Sequence, residues 1–265
     1  MWRKLATIAM FTLIPLAAAC GPSAPDPAPQ EAAAAVEEPE SPEAGTAAPA
    51  PAPDPAAPAV ASAPQAPRTP SGKEPLVVFL GDSLTAGLGL EAGAAYPARV
   101  ETALEEEGRP VRVLNAGVSG DTTAGGLSRV DWILKQKPDV LVVGLGGNDG
   151  LRGLPLEQTE KNLRAILRRG REAGARVLLL GMQIPPNYGE YADLFAEMYP
   201  RIAKDMNVPL VPFLLEGVGG MAELNQADGI HPTAEGQEIM AKTVVPYLRP
   251  LVGPGEERRA AAGAG

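Results

Sequence analysis

The sequence predicts an α/β domain whose core is a parallel five-stranded sheet. Three observations lead there. Five short runs rich in Val and Leu occur at 76–80 (LVVFL), 111–115 (VRVLN), 139–145 (DVLVVGL), 176–182 (RVLLLGM) and 208–213 (VPLVPF). Helical patterns lie between them, and strands that alternate with helices form parallel sheets with helices on both faces. The runs are nearly continuous in apolar residues instead of alternating, as strands buried on both faces require.

The chain has 265 residues, and its first 20, MWRKLATIAMFTLIPLAAAC, place Arg3 and Lys4 ahead of a short apolar run and three alanines. That order is an export signal, and the run is too short and too broken by Pro15 for a membrane span. The ending AAAC resembles a bacterial lipoprotein box, in which Cys20 is lipidated and becomes the new N-terminus; ordinary cleavage after Ala19 is the alternative. Cys20 is the only cysteine, so no disulfide can form within the chain. Gly21 follows it where an inner-membrane retention signal would have Asp, which resembles outer-membrane sorting in a Gram-negative cell. Lipidation would attach the protein to a membrane facing the periplasm.

Residues 21–73 are Pro, Ala and acidic side chains with almost nothing larger than Val. They cannot bury enough apolar surface to offset the entropy of ordering, so a disordered linker is expected, either a tether or a neutral spacer. The folded domain is then 74–252.

After the first strand, residues 96–107 repeat Tyr96, Val100 and Leu104 every fourth position, and residues 156–169 do the same with Leu156, Leu163, Ile166 and Leu167. Both are amphipathic helices. Ser128 falls in another helical pattern, which Asp121 is suited to cap. A last helix is expected over 233–248, and 253–265 (GPGEERRAAAGAG) as a disordered tail.

A formal charge of −9 offers no grip on phosphate backbones, which argues against a nucleic-acid partner. Chemistry in such a fold sits at the carboxyl ends of the strands. There the sequence places GDSLTAG (81–87), NAGVSGDTT (115–123), GLGGNDG (144–150) and, before the last helix, DGIHP (228–232). Ser83 stands between a strand and a helix, where a hydroxyl is exposed and its own N–H points into a site. Gly120 allows close backbone approach, and Asn148 offers an amide with two donors. Both also suit a purely turn-forming role. His231 is the only histidine. It shares a Gly- and Pro-flanked loop with Asp228, three residues away, a spacing at which a carboxylate can fix its tautomer and stabilise the imidazolium. Ser119 and Ser128 compete with Ser83, but neither has a strand-to-helix turn of its own. Asp82, Asp121 and Asp149 compete with Asp228, and suit turn, cap or supporting roles better. GLGGND lacks the spacing of a dinucleotide fingerprint, and GVSGD fails the GxSxG pattern at its last position. No cofactor is expected, and without a second histidine or a cysteine in the domain no metal site either.

In register, GDSL with Ser83, GVSGD with Gly120, GGND with Asn148 and DGIHP with Asp228 and His231 resemble the four blocks of the SGNH (GDSL) hydrolases. The stretches SGDTT, LGGNDGLRG, PPNYG and DGIHP are similar to the thioesterase I, lysophospholipase L1 and arylesterase branch, over essentially all of 76–250. The resemblance implies a three-layer α/β/α flavodoxin-like fold. Ser83 would be the nucleophile, His231 its base and Asp228 the orienting acid, with the oxyanion held by the N–H groups of Ser83 and Gly120 and the Asn148 side chain. It implies hydrolysis of short to medium acyl esters, aryl esters, thioesters or lysophospholipids, so the partner is a small-molecule or lipid ester. Leu145, Leu151, Leu154, Ile184 and Tyr188 are the expected acyl-pocket residues. A carbohydrate or cell-wall O-acetylesterase is the second reading, and a tethered binding lipoprotein without catalysis the third.

Overall fold

A computed structural model describes residues 74–253. The leader with Cys20, the linker 21–73 and the tail beyond Gly253 lie outside the described residues.

The five apolar runs form β1 (Leu76–Gly81), β2 (Arg112–Gly117), β3 (Val140–Gly144), β4 (Arg176–Leu180) and β5 (Leu210–Val211). They pair in parallel in the order β2-β1-β3-β4-β5. β1 and β3 are the central pair, and Val77 to Leu80 and Val140 to Val143 are fully buried, which accounts for their unbroken apolar composition. β5 is much shorter than VPLVPF, since Pro209 and Pro212 flank its two residues and cannot donate to the ladder.

The helices are α1 (Ser83–Ala86), α2 (Tyr96–Glu106), α3 (Thr123–Leu134), α4 (Gly147–Leu151), α5 (Leu156–Glu172), α6 (Glu190–Met206) and α7 (Ala234–Val252). α2 packs against α7, and α3 against α5, which also meets α6, so that both faces of the sheet are covered. The expected three-layer α/β/α fold is the observed one. The tightest aromatic contact of the α2 side is edge-to-face, Phe79 of β1 against Tyr96, with centroids 5.5 Å apart.

Three elements depart from expectation. Periodicity assigned nothing to 183–207, yet α6 fills most of it, burying Phe195, Met198, Tyr199 and Ile202 at helical spacing despite Pro200. α7 continues to Val252, four residues past Leu248, because Leu251 and Val252 still find the core and outweigh the bonds lost at Pro246 and Pro250. The cap of α3 is Thr122, whose side chain accepts from the Gly125 N–H at 3.3 Å; Asp121 is drawn instead to Arg129, 2.7 Å away.

Strand order reverses direction between β1 and β3, each of which runs to a different neighbour. Open α/β sheets form their crevice at such a reversal. The loops after β1 and β3, with Ser83 and Asn148, open onto it.

Candidate active site

β1 ends at Gly81, where an added Cβ would overlap the Thr85 side chain, so only glycine lets the strand turn at once into α1. Asp82 caps that turn through Oδ1, 3.0 Å from the Leu84 N–H. α1 lasts one turn and stops at Gly87, whose φ of 72° is a left-handed cap. Ser83, its first residue, is buried, and its Oγ lies 2.9 Å from His231 Nε2.

The histidine loop is pinned at both ends. Asn225 and Pro232 form an antiparallel bridge, and the Gln226 N–H donates to His231 O at 2.7 Å. Gln226 Nε2 reaches Leu88 O (2.8 Å), just past α1, and Pro232 O (3.1 Å). Inside the loop, Asp228 Oδ1 accepts from the N–H groups of Ile230 (2.9 Å) and His231 (3.0 Å), while Oδ2 faces His231 Nδ1 at 2.7 Å. The His231 backbone N–H, the imidazole and the Ile230 N–H hold this carboxyl well below the usual carboxylate range. An ionised Asp228 can only accept, so Nδ1 carries the proton and Nε2 presents a lone pair to the Ser83 hydroxyl.

The competing carboxylates are engaged elsewhere. Asp82 caps α1, and Asp121 pairs with Arg129. Asp149 accepts from the Thr123 N–H (2.9 Å), Thr123 Oγ1 (2.6 Å) and Thr159 Oγ1 (3.3 Å). That buried cluster ties α4 to α3 and α5 and so places Asn148. Tyr199 Oη adds a bond to Leu145 O at 3.0 Å, and Gly146, with φ of 113°, has no room for a Cβ beneath the same ring.

Ser83, Asn148 and His231 share one cavity of about 480 Å³. Gly120 is outside its lining, on the exposed loop between β2 and α3, with φ of 77°. Among the described residues no protein acceptor is paired with the N–H of Ser83 or Gly120, or with Asn148 Nδ2. Ser119 is exposed, and the Ser128 hydroxyl donates to Gly125 O within α3, so neither touches the imidazole.

Of the expected acyl-pocket residues, Leu151 and Ile184 line the cavity. Leu145 does not: it is fully buried, its side chain packed over Gly126 of α3. Leu154 and Tyr188 are also outside the lining; Tyr188 Oη donates to Leu151 O at 2.8 Å and braces that loop. The wall is completed by residues that sequence reading missed, chiefly Leu84, Met182, Pro185, Phe213, Leu215 and Ile230. Phe213 and Leu215 follow β5, which ends at Val211, short of the end of the VPLVPF run. Among the described residues no group of three or more His, Cys, Asp or Glu side chains is placed to share a metal ion.

A model of the GDSL-like lipase/acylhydrolase family matches residues 79–239. Esterase TesA of Pseudomonas aeruginosa is 46% identical over 178 residues, 66% of this chain and 89% of that protein. Thioesterase 1/protease 1/lysophospholipase L1 of Escherichia coli K12 is 43% identical over 178 residues, 66% of this chain and 84% of its own. Among solved structures, the psychrotrophic esterase EstA from Pseudoalteromonas, inhibited by monoethylphosphonate, superposes with a TM-score of 0.63 at 31% identity, covering 66% of this chain and 97% of that one.

Burial pushes Asp82 up to about 6, opposed by its bond to Leu84. A carboxyl raised in the folded state binds its proton more tightly there than in the unfolded chain. Its contribution is therefore complete below pH 3.8 and is lost as the pH rises through about 6. Across that window the parent should lose up to about 3 kcal/mol of unfolding free energy relative to an Asp82→Asn variant. Urea denaturation at a series of pH values measures the difference, and parallel curves would contradict this account of Asp82.

Proposed function

The chain belongs to the GDSL-like lipase/acylhydrolase family, and we propose that it is a serine esterase acting on carboxylic esters with short to medium acyl or aryl groups. Lysophospholipids and thioesters fall within the same reach, in line with the name of the E. coli relative. The observation that carries this reading is the unbroken hydrogen-bond path from Asp228 Oδ2 through the imidazole to Ser83 Oγ, 2.7 and 2.9 Å, at the edge of an apolar cavity.

In the proposed reaction, Ser83 Oγ attacks the substrate carbonyl carbon as His231 Nε2 takes its proton. The imidazolium so formed is stabilised by ionised Asp228. Negative charge moves to the carbonyl oxygen, for which the N–H of Ser83, the N–H of Gly120 and Asn148 Nδ2 are the donors with no other protein partner. Collapse breaks the bond to the leaving alcohol, aryl alcohol or thiol, and Nε2–H returns the proton to it. Water then enters: Nε2 takes its proton, hydroxide adds to the acyl carbon, and Ser83 leaves with the proton restored.

Leu84, Leu151, Met182, Ile184 and Phe213 offer hydrocarbon to an acyl chain, whereas a sugar would need hydrogen-bonding groups on several sides. This favours an acyl or aryl ester over the carbohydrate O-acetylesterase reading. A binding protein without catalysis has no use for the aligned hydroxyl, imidazole and carboxylate.

The export signal and AAAC ending support a further part of the proposal. Cys20 carries lipid, residues 21–73 are the tether, and the domain works at the periplasmic side of a membrane, the outer one in a Gram-negative cell. Acyl-CoA is then not its biological substrate.

Two measurements follow. With the protein in detergent, kcat/KM for p-nitrophenyl or naphthyl esters should far exceed that for acetylated polysaccharide; the reverse order would establish the O-acetylesterase instead. Intact mass of membrane-extracted protein should begin at a lipid-modified Cys20, and an unmodified chain beginning at Cys20, the product of ordinary cleavage after Ala19, would refute the anchor.

A further inference from the structure

Arg152 lies one turn after Asn148, at the end of α4, and its side chain is exposed beside the cavity wall residue Leu151. Its Nη2 donates to Gly120 O at 3.0 Å and to Asn148 Oδ1 at 3.3 Å. Other arginines, such as Arg129, Arg164, Arg169, Arg201 and Arg249, pair with carboxylates. Among the described residues Arg152 has no such partner, and both of its acceptors are neutral oxygens of residues read above as oxyanion donors.

We propose that Arg152 is a positioning residue for the oxyanion site, acting through Asn148 and secondarily through Gly120. The inference rests on the reading of those two residues as donors. A primary amide has two ends of nearly equal size and opposite function. Turned one way, Asn148 presents Nδ2 to a developing negative oxygen; turned the other, it presents Oδ1 and repels it. A guanidinium has only donors, so it bonds Oδ1 and is unfavourable beside Nδ2. Holding Oδ1 on the solvent side therefore selects the productive end for the cavity. The same nitrogen fixes the Gly120 carbonyl, across the crevice on the loop after β2. A Cβ at Gly120 would lie 3.7 Å from Nη2, and its φ of +77° already disfavours any other residue. One cation thus clamps two loops that the sheet alone would leave to move independently. Its charge behind the two donors also favours the oxyanion over the uncharged carbonyl, so the benefit belongs to the transition state more than to bound substrate.

The test is a double-mutant cycle on the full chain with an uncharged p-nitrophenyl ester, measuring kcat and KM for the parent, Arg152→Ala, Asn148→Ala and the double variant. Arg152→Ala should lower kcat by about tenfold or more with KM changed less than about twofold, and Asn148→Ala should lower it by about a hundredfold or more. In the Asn148→Ala background, loss of the arginine should cost less than about threefold, because the group it positions is gone. Arg152→Lys, which offers a compact ammonium in place of a planar fork, should recover part of the loss. Because Arg152 is on the surface, melting curves should show all four variants folded. A rise in KM at unchanged kcat would make Arg152 a substrate contact and overturn the proposal. Equal losses in both backgrounds would overturn it as well, showing an effect that does not pass through Asn148. If Asn148→Ala itself costs less than about tenfold, the donor reading fails and the proposal goes with it.

Discussion

A serine hydroxyl is inert toward esters until a base lies in hydrogen-bonding reach of it, and the base proposed for Ser83, His231, comes from the other end of the domain. Ser83 and His231 are 148 residues apart in sequence and 2.9 Å apart in space. β1 delivers Ser83 to the crevice, and the chain crosses the sheet four more times before the loop ahead of α7 brings the imidazole down onto it. A shift of one ångström would leave Oγ beyond reach of the ring, which is why the loops at this end are so heavily bonded.

The bonding is polar and mostly joins segments distant in sequence. Gln226 ties the histidine loop to the segment after α1, and Gln237 ties α7 to α2 and α1, accepting from the Tyr96 N–H at 2.7 Å and donating to Leu84 O at 3.2 Å. Arg129 gathers Gly81 O, Ala116 O and Asp121, the ends of β1 and β2 and the loop beyond. Asp149 does the same for α3, α4 and α5. Each cluster buries charge or amide groups that would be costly if left unpaired.

Much of this could be read from the chain alone, for identifiable reasons. Residues 77–80 and 140–143 are apolar at every position because both faces are covered, and Tyr96, Val100 and Leu104 show a clean helical stripe because one face meets the sheet. Ser83, Asp228, Asn148 and His231 declare themselves through Gly- and Pro-rich punctuation at strand ends. What escaped reading depends on partners distant in sequence. α6 carries an internal proline and follows a Pro-rich turn, so only the burial of Phe195 and Tyr199 identifies it. Leu145 reads as a pocket residue by its place after β3, but its side chain turns into the gap over Gly126. Phe213 and Leu215 line the cavity because β5 ends early, and the Arg152 clamp exists only once α4 and the loop after β2 face each other.

We propose that the imidazole, steadied by Asp228, activates Ser83. The rate of covalent modification by a fluorophosphonate probe, with the site located by peptide mapping, tests it most directly in the parent and in a His231→Gln variant. Labelling should be rapid and confined to Ser83 in the parent, and should fall by at least about a thousandfold in the variant. Labelling of the variant at the parental rate, or modification at a different residue, would contradict it.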